Sequence, residues 1–338
     1  MNEAPRIWTR RPTILEPRRE LILRAGLSGH FRLTVHKGDP ARPRRVLDFD
    51  NLITTAGLDF IGGSTTYIER CAVGTGTNTP AITDTQLQTQ IAATSTVMST
   101  STADEPSPGP YFGHATINFR FGQGVAAGNL TEIGVGKLSG TPVPLFSRAR
   151  IVDDDGDPTT LTILSDEFLD VSYTLRIHPP TSDLVSTVVI GGLTYDFTLR
   201  ASNVTNDNDW LPGPTGTFGG APFSTGSVIV YQTQTLGAIT ATPAGTSTAD
   251  AASVTNAAYS NGNFYRDWTA SWGLTGGNMG LGIGALKTIM GTGALGVGRA
   301  GAFQMSFAKN PGGQTIPKDS TKIMSLTFRH SWDRHPET

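Results

Sequence analysis

The chain has 338 residues, with 40 Gly, 21 Pro, a single Cys and only 16% charged residues. That length allows about two domains with sizeable cores, and short apolar runs set among Gly, Pro, Ser and Thr read as many strands and many turns. No run of 18 apolar residues is present to cross a membrane as a helix, the first residues lack the apolar core of a secretory leader, and one cysteine excludes an intramolecular disulfide framework, in keeping with a reducing compartment.

The net charge of −2 conceals an asymmetry. Residues 1–45 carry eleven bases against four acids, or +7, and the other 293 residues carry 15 bases against 24 acids, or −9. Pro5, Pro12, Pro17, Pro40 and Pro43 favour extended backbone in this basic region. Residues 1–28 are therefore expected to be an extended basic docking arm that packs on a neighbouring protein. A solvated tail and a nucleic-acid-binding arm are the competing readings, and the lack of a folded basic face with groove-reading residues argues against the latter. Arg6, Arg10, Arg11, Arg18, Arg19, Arg42, Arg44 and Arg45 are the candidate subunit-docking residues.

In residues 29–37, Phe31, Leu33 and Val35 alternate with polar residues, the pattern of a strand with one buried face. Val46–Phe49 returns as its partner. A short helix follows, capped by Asp50 or Asn51, with Leu52, Ile53, Leu58 and Ile61 as its apolar stripe and Gly62-Gly63 as its stop. Residues 67–73 form a strand. A second helix is expected after Asp84, with Leu87 and Ile91 on one face, and Ala92–Pro110 reads as a loop or a strand with a long exit. Strands follow at 114–121, 130–136, 145–152, 161–164 and 170–177, with an Asp-Gly hairpin turn at 153–158 and a stop at His178-Pro179-Pro180. Residues 187–201 read as a hairpin across Gly191-Gly192, residues 203–223 as a loop, and residues 228–235 as another strand, whereas 238–257 are weakly patterned.

Shifted by 153 residues without gaps, 112–178 lies on 265–331. Thr116 then meets Thr269, Thr174 meets Thr327, Arg176 meets Arg329, and DVSYTLR lies on IMSLTFR. An all-β fold follows, built of two related β-sandwich-like domains, 29–180 and 181–338, with short helices and the N-terminal arm.

FDNLITTAGLDFI, CAVGTGTNTPAITDTQLQTQIA, LTEIGVG and LFSRARIVDDDGDPTTLTILSDEFLDVSYTLRIHPP together resemble a family of tail structural proteins of tailed bacteriophages, of the tail-fibre, baseplate or tail-tip type. The resemblance covers about residues 45–200 and rests on Asn51–Thr54, Val73–Gly76, Glu132–Gly134 and Leu169–Tyr173. It implies a non-enzymatic virion protein, assembled in the bacterial host cytoplasm, that joins other tail proteins and supports host adsorption. The partners expected are those tail proteins, further copies of the chain (a trimer favoured) and a host surface receptor, with no nucleic acid and no membrane span. A receptor- or carbohydrate-binding adhesin is the first alternative and a tail-associated glycan hydrolase the second.

The motifs that carry chemistry elsewhere read as structural here. Asp153–Asp157 fails the calcium-loop pattern, since position 6 is Pro158 and position 12 is Leu164, and Asn206–Asp209 reads as turn chemistry. His330 and His335 lack further metal ligands nearby in sequence, and Cys71 sits in an apolar strand as a packed thiol. Residues 276–298 miss the third glycine of a dinucleotide fingerprint and stand in no βαβ unit. No metal and no cofactor are expected. Asp166, Glu167 and Asp170 are the carboxylates a hydrolase would draw on. Trp210, Tyr259, Phe264, Tyr265 and Trp268 are candidate exposed aromatic contacts, for another subunit or for sugar rings.

Overall fold

The computed structural model describes residues 13–15, 21–63, 66–104, 109–205, 209–212, 218–219, 226–248, 253–291 and 299–336. The first half runs β1 (Thr13–Leu15), β2 (Leu21–His36), β3 (Arg45–Asp50), β4 (Leu52–Ile53), α1 (Thr55–Gly63), β5 (Thr66–Ile68), β6 (Arg70–Gly74), β7 (Gln90–Thr94), β8 (Val97–Asp104), β9 (Gly113–Phe121), β10 (Gly128–Leu130), β11 (Glu132–Gly136), β12 (Leu145–Arg150), β13 (Leu161–Ile163) and β14 (Phe168–His178). The second half adds β15 (Leu184–Ile190), β16 (Leu193–Ser202), β17 (Trp210–Leu211), β18 (Phe218–Gly219), β19 (Gly226–Tyr231), β20 (Ser247–Thr248), β21 (Ser253–Asn256), β22 (Tyr265–Trp272), β23 (Ala285–Gly291), β24 (Arg299–Lys309) and β25 (Lys322–Arg334).

These strands build an all-β, sandwich-like molecule. One nine-stranded sheet, in the order β21-β22-β25-β2-β14-β9-β8 with β1 on β25 and β3 on β2, runs through both halves. A five-stranded sheet, β4-β12-β11-β6-β7, faces its first half, where Phe146 of β12 meets Tyr173 of β14 edge-on with ring centres 6.4 Å apart. A seven-stranded sheet, β15-β16-β24-β23-β19-β20 with β17 on β24, faces its second half through Phe303 of β24 and His330 of β25 at 5.4 Å. Two inner faces of alternating apolar residues close over one continuous core.

The 153-residue offset recurs as geometry. Pairing in β9–β14 sets Thr116 opposite Thr174 and Asn118 opposite Ser172. Pairing in β22–β25 sets Thr269 opposite Thr327 and Ser271 opposite Ser325, each residue displaced by that same offset. Both threonine pairs join their hydroxyls, at 2.8 and 3.0 Å. Between the two antiparallel pairs lies β2, antiparallel to β14 and parallel to β25.

That seam corrects the arm. A boundary at residue 28 falls inside β2, whose first half, Leu21–Leu27, pairs with Phe328–Arg334, and β1 adds to the same strand at Lys322–Met324. Leu21, Leu23, Ala25 and Leu27 are buried in line with Phe31, Leu33 and Val35. The alternation that marks the strand after Gly29 thus begins eight residues earlier. Arg6, Arg10, Arg11, Arg18 and Arg19 lie outside the described residues.

Two further expectations change. The first helix is capped by Thr54, not by Asp50 or Asn51: the Thr54 hydroxyl accepts the Gly57 N–H at 2.9 Å, while Asp50 closes β3 and Asn51 donates to the Tyr173 hydroxyl. The second helix is absent: residues 84–89 are irregular chain leading into β7, which includes Gln90 and Ile91. Of the two readings of residues 92–110, the strand is the one found, with the end of β7 and all of β8 in that stretch. The Gly191-Gly192 hairpin and the Asp153–Pro158 turn stand as expected, the latter closed by the Asp153 carboxylate on the N–H groups of Asp155 and Asp157.

Candidate functional site

The Val73–Gly76 and Glu132–Gly134 motifs form one latch. Glu132, at the start of β11, is fully buried. Its Oε1 accepts the N–H groups of Gly76 at 3.0 Å and Thr89 at 2.7 Å, and its Oε2 accepts that of Gln88 at 3.0 Å and the Arg148 guanidinium at 2.8 Å. Arg148, on the neighbouring β12, reaches Asp84 with its other nitrogen at 2.5 Å. A side chain at Gly74 or Gly76 would sit within 2.5 Å of the Glu132 oxygen, so both must be glycine for the loop to approach. The carboxylate takes the backbone donors that a helix at 84–91 would have turned inward. Leu87 then packs on the outer face of the five-stranded sheet with Ala72, Val143 and Leu145.

Each carboxylate considered for hydrolysis is held by a base. Glu167 forms a bidentate pair with Arg44, at 2.5 and 2.9 Å, and accepts the Leu164 N–H. Asp166 pairs with Lys37 at 2.8 Å, and Asp170 is bracketed by Arg120 on two nitrogens and by His36. The Arg44 hydrogen bonds lower the Glu167 pKa, and the Lys37 hydrogen bond lowers that of Asp166. Neither is a protonated donor at neutral pH. Arg44, though still exposed, ties the β2–β3 loop to the start of β14 through this pair. Arg42 and Arg45 are exposed.

The aromatics divide. Trp210 and Trp268 are core residues, which corrects their reading as surface contacts. Trp210 belongs to β17 on β24, donates its indole N–H to the Ser202 carbonyl and packs on Phe303. Trp268 occupies the inner face of β22 and stacks on Phe328 with ring centres 4.4 Å apart. Tyr259, Phe264 and Tyr265 are half-buried. The Tyr259 hydroxyl donates to Asp59 of α1, the Phe264 carbonyl accepts the Trp332 N–H, and Arg329 lies 3.7 Å over the Tyr265 ring. They fasten the 257–265 segment to the sheet.

A cleft that residue patterning had not singled out opens where β14 ends beside the β2–β25 seam. Its larger part, about 650 Å³, is lined by Arg24, Tyr111, Pro179, Pro180, Arg334 and His335. A smaller part, about 240 Å³, shares His178 with it and adds Ser28, Asp50, Phe112 and Arg176. His178 stacks on His335 with ring centres 3.8 Å apart, and its Nε2 is hydrogen-bonded to the Ser28 hydroxyl at 2.8 Å. Burial, then His335 and Arg176, push the His178 pKa down to about 3. Among the described residues no carboxylate is hydrogen-bonded to the other nitrogen of this ring, so Ser28 and His178 form a pair without an orienting third member, and the ring is a weak base. The cleft suits contact chemistry: aromatic and prolyl faces with the guanidinium groups of Arg24, Arg176 and Arg334, that of Arg176 lying over Phe112 at 5.0 Å. Only the stop signal His178-Pro179-Pro180 and the Pro-rich stretch before Tyr111 marked it in the sequence.

Among the described residues no group of three His, Cys, Asp or Glu side chains is placed to hold a metal ion, and no described helix is long and apolar enough to cross a membrane. Cys71 is buried in β6, and its burial raises the thiol pKa. Comparison with protein-family models, curated proteins and solved structures returned no match.

Proposed function

We propose that this chain is a structural component of the tail of a tailed bacteriophage, in a baseplate, tail-tip or tail-fibre position, which assembles with other tail proteins and with copies of itself. The observation that carries the reading is the use of the leading segment. β1 and β2 enter the sheet as strands laid along the last strand of the chain, so the basic region before Thr13 starts from an anchored sheet edge, as a segment that docks on a neighbour would. The motifs behind the resemblance support it in a second way, since Glu132 and the Val73–Gly76 turn build a rigid loop rather than a reaction centre. Electron microscopy of phage particles labelled with antibody to this chain tests the proposal: label at the tail is expected, and a chain absent from every particle overturns it. Neutralising Arg6, Arg10, Arg11, Arg18 and Arg19 together is expected to lower incorporation into particles while the far-ultraviolet spectrum and melting temperature stay unchanged.

The cleft favours a second reading, a ligand-binding adhesin that meets the host surface through Tyr111, Phe112 and Arg176. Glycan-array binding by the isolated chain, lost in Phe112→Ala and Arg176→Ala, is its test.

A further inference from the structure

The edge of the seven-stranded sheet formed by β15 is built for pairing. The hairpin β15–β16 turns through Gly191 and Gly192 at φ 58° and 81°, a type I′ turn whose flanking residues Ile190 and Leu193 form a hydrogen-bonded pair. From that pair the alternation runs back along the strand. Val188, Ser186 and Leu184 turn their N–H and C=O groups toward β16, and Val185, Thr187 and Val189 turn theirs away from the sheet. Among the described residues no strand pairs with that side of β15. Residues 184–195 contain no charge and no proline, the two devices that most often blunt an edge. Other edge strands are shortened or irregular: β20 and β21 span two and four residues, and both β7 and β8 carry a register shift.

We propose that β15 is a homotypic docking edge, on which a second copy of the chain lays its own β15 antiparallel about a two-fold axis through Thr187. The register follows from the outward groups. Thr187 meets Thr187 and Val185 meets Val189 as hydrogen-bonded pairs, and every outward N–H finds a C=O. The side chains agree. Leu184 lies on the core-facing side of the strand yet is 49% exposed, and Val185 on the other face is 69% exposed. In this register Leu184 of one copy covers Ile190 of the other, and Val185 covers Val189. No like charges are brought together, since the nearest acids are already engaged, Asp183 by both ends of the Arg200 guanidinium and Asp196 by Asn310. The contact is isologous and closes at two copies, so it does not propagate into a fibre. It is independent of whether the chain belongs to a phage tail.

The test uses the full chain in size-exclusion chromatography with light scattering over a concentration series, beside Thr187→Lys, Thr187→Glu, Thr187→Cys and Ser186→Cys. A reversible dimer is expected. Lysine or glutamate at the axis places like charges directly opposite and weakens it roughly tenfold or more, and an equimolar mixture of the two variants restores pairing. Opposed Cα atoms in a hydrogen-bonded pair lie about 5.5 Å apart, within reach of a disulfide, so oxidised Thr187→Cys forms a covalent dimer. Ser186→Cys, which faces Val188 of the other copy, does not. A chain that stays monomeric throughout, a dimer indifferent to both charges, equal cross-linking at 186 and 187, or a dimer lost on removing residues 1–12 instead would each overturn the proposal.

Discussion

Glu132 shows how one side chain sets a local structure. Four donors converge on a carboxylate with no exposed surface, and the Arg148 beside it is 3% exposed. Removing one member of such a buried set strands the other charge, at a cost of about 3–5 kcal/mol. Glu132→Ala is therefore expected to lose stability on that scale in denaturant melts and to loosen residues 75–89 in hydrogen exchange; a change under about 1 kcal/mol would refute the latch. The histidines set an acid limit in the same local way. Burial holds the native His178 and His330 pKa values near 3, against 6.5 in the unfolded chain. As pH falls below about 6.5 the unfolded chain takes up protons that the native one refuses. Stability is thus full above that pH and declines toward pH 3. His178→Gln, which keeps a partner for Ser28, is expected to lose less melting temperature between pH 7 and pH 4 than the parent chain, and an equal loss would count against this cause.

At the scale of elements, β2 matters most, because its core face seals both halves. Leu23 is wholly buried beside β25, so Leu23→Ala is expected to cost about 2–5 kcal/mol, measured by chemical denaturation. Removing residues 1–12 is expected to leave the melting temperature unchanged, and removing 1–27 to abolish cooperative unfolding, because β25 then loses its inner neighbour. Most strands were legible as period-2 alternation, and the repeat marked the strands of two related antiparallel pairs. The sequence-level reading erred where a local signal met a stronger distant one. Leu87 and Ile91 are spaced for a helical face, but the Glu132 carboxylate captures the N–H groups of Gln88 and Thr89. Leu21, Leu23, Ala25 and Leu27 alternate as clearly as the residues after them, and basic charge and proline content hid the pattern.

For the whole molecule, the shared sheet decides what can be separated. The domains drawn at residue 180 each carry a related antiparallel strand pair, yet the inner strand beside β25 comes from the other half. Residues 181–338 expressed alone are expected to lack cooperative unfolding and dispersed amide resonances, and adding a 13–36 peptide is expected to restore part of both. A fully folded fragment would show that the second sandwich stands without β2.

Composition and alternation were enough to establish an all-β chain, because strand period and turn residues are local properties. Which residues face solvent was decided in three dimensions. Trp210 sits in a stretch rich in Asn, Asp, Gly and Pro and is buried all the same, since β17 pairs with a strand some 90 residues away. Glu167 looks like a surface acid and is wholly buried, because Arg44, 123 residues earlier in the chain, closes over it with a bidentate pair. Long-range pairing chooses the partners of buried charges and the free edges of sheets, and no window along the chain contains both members of such a pair.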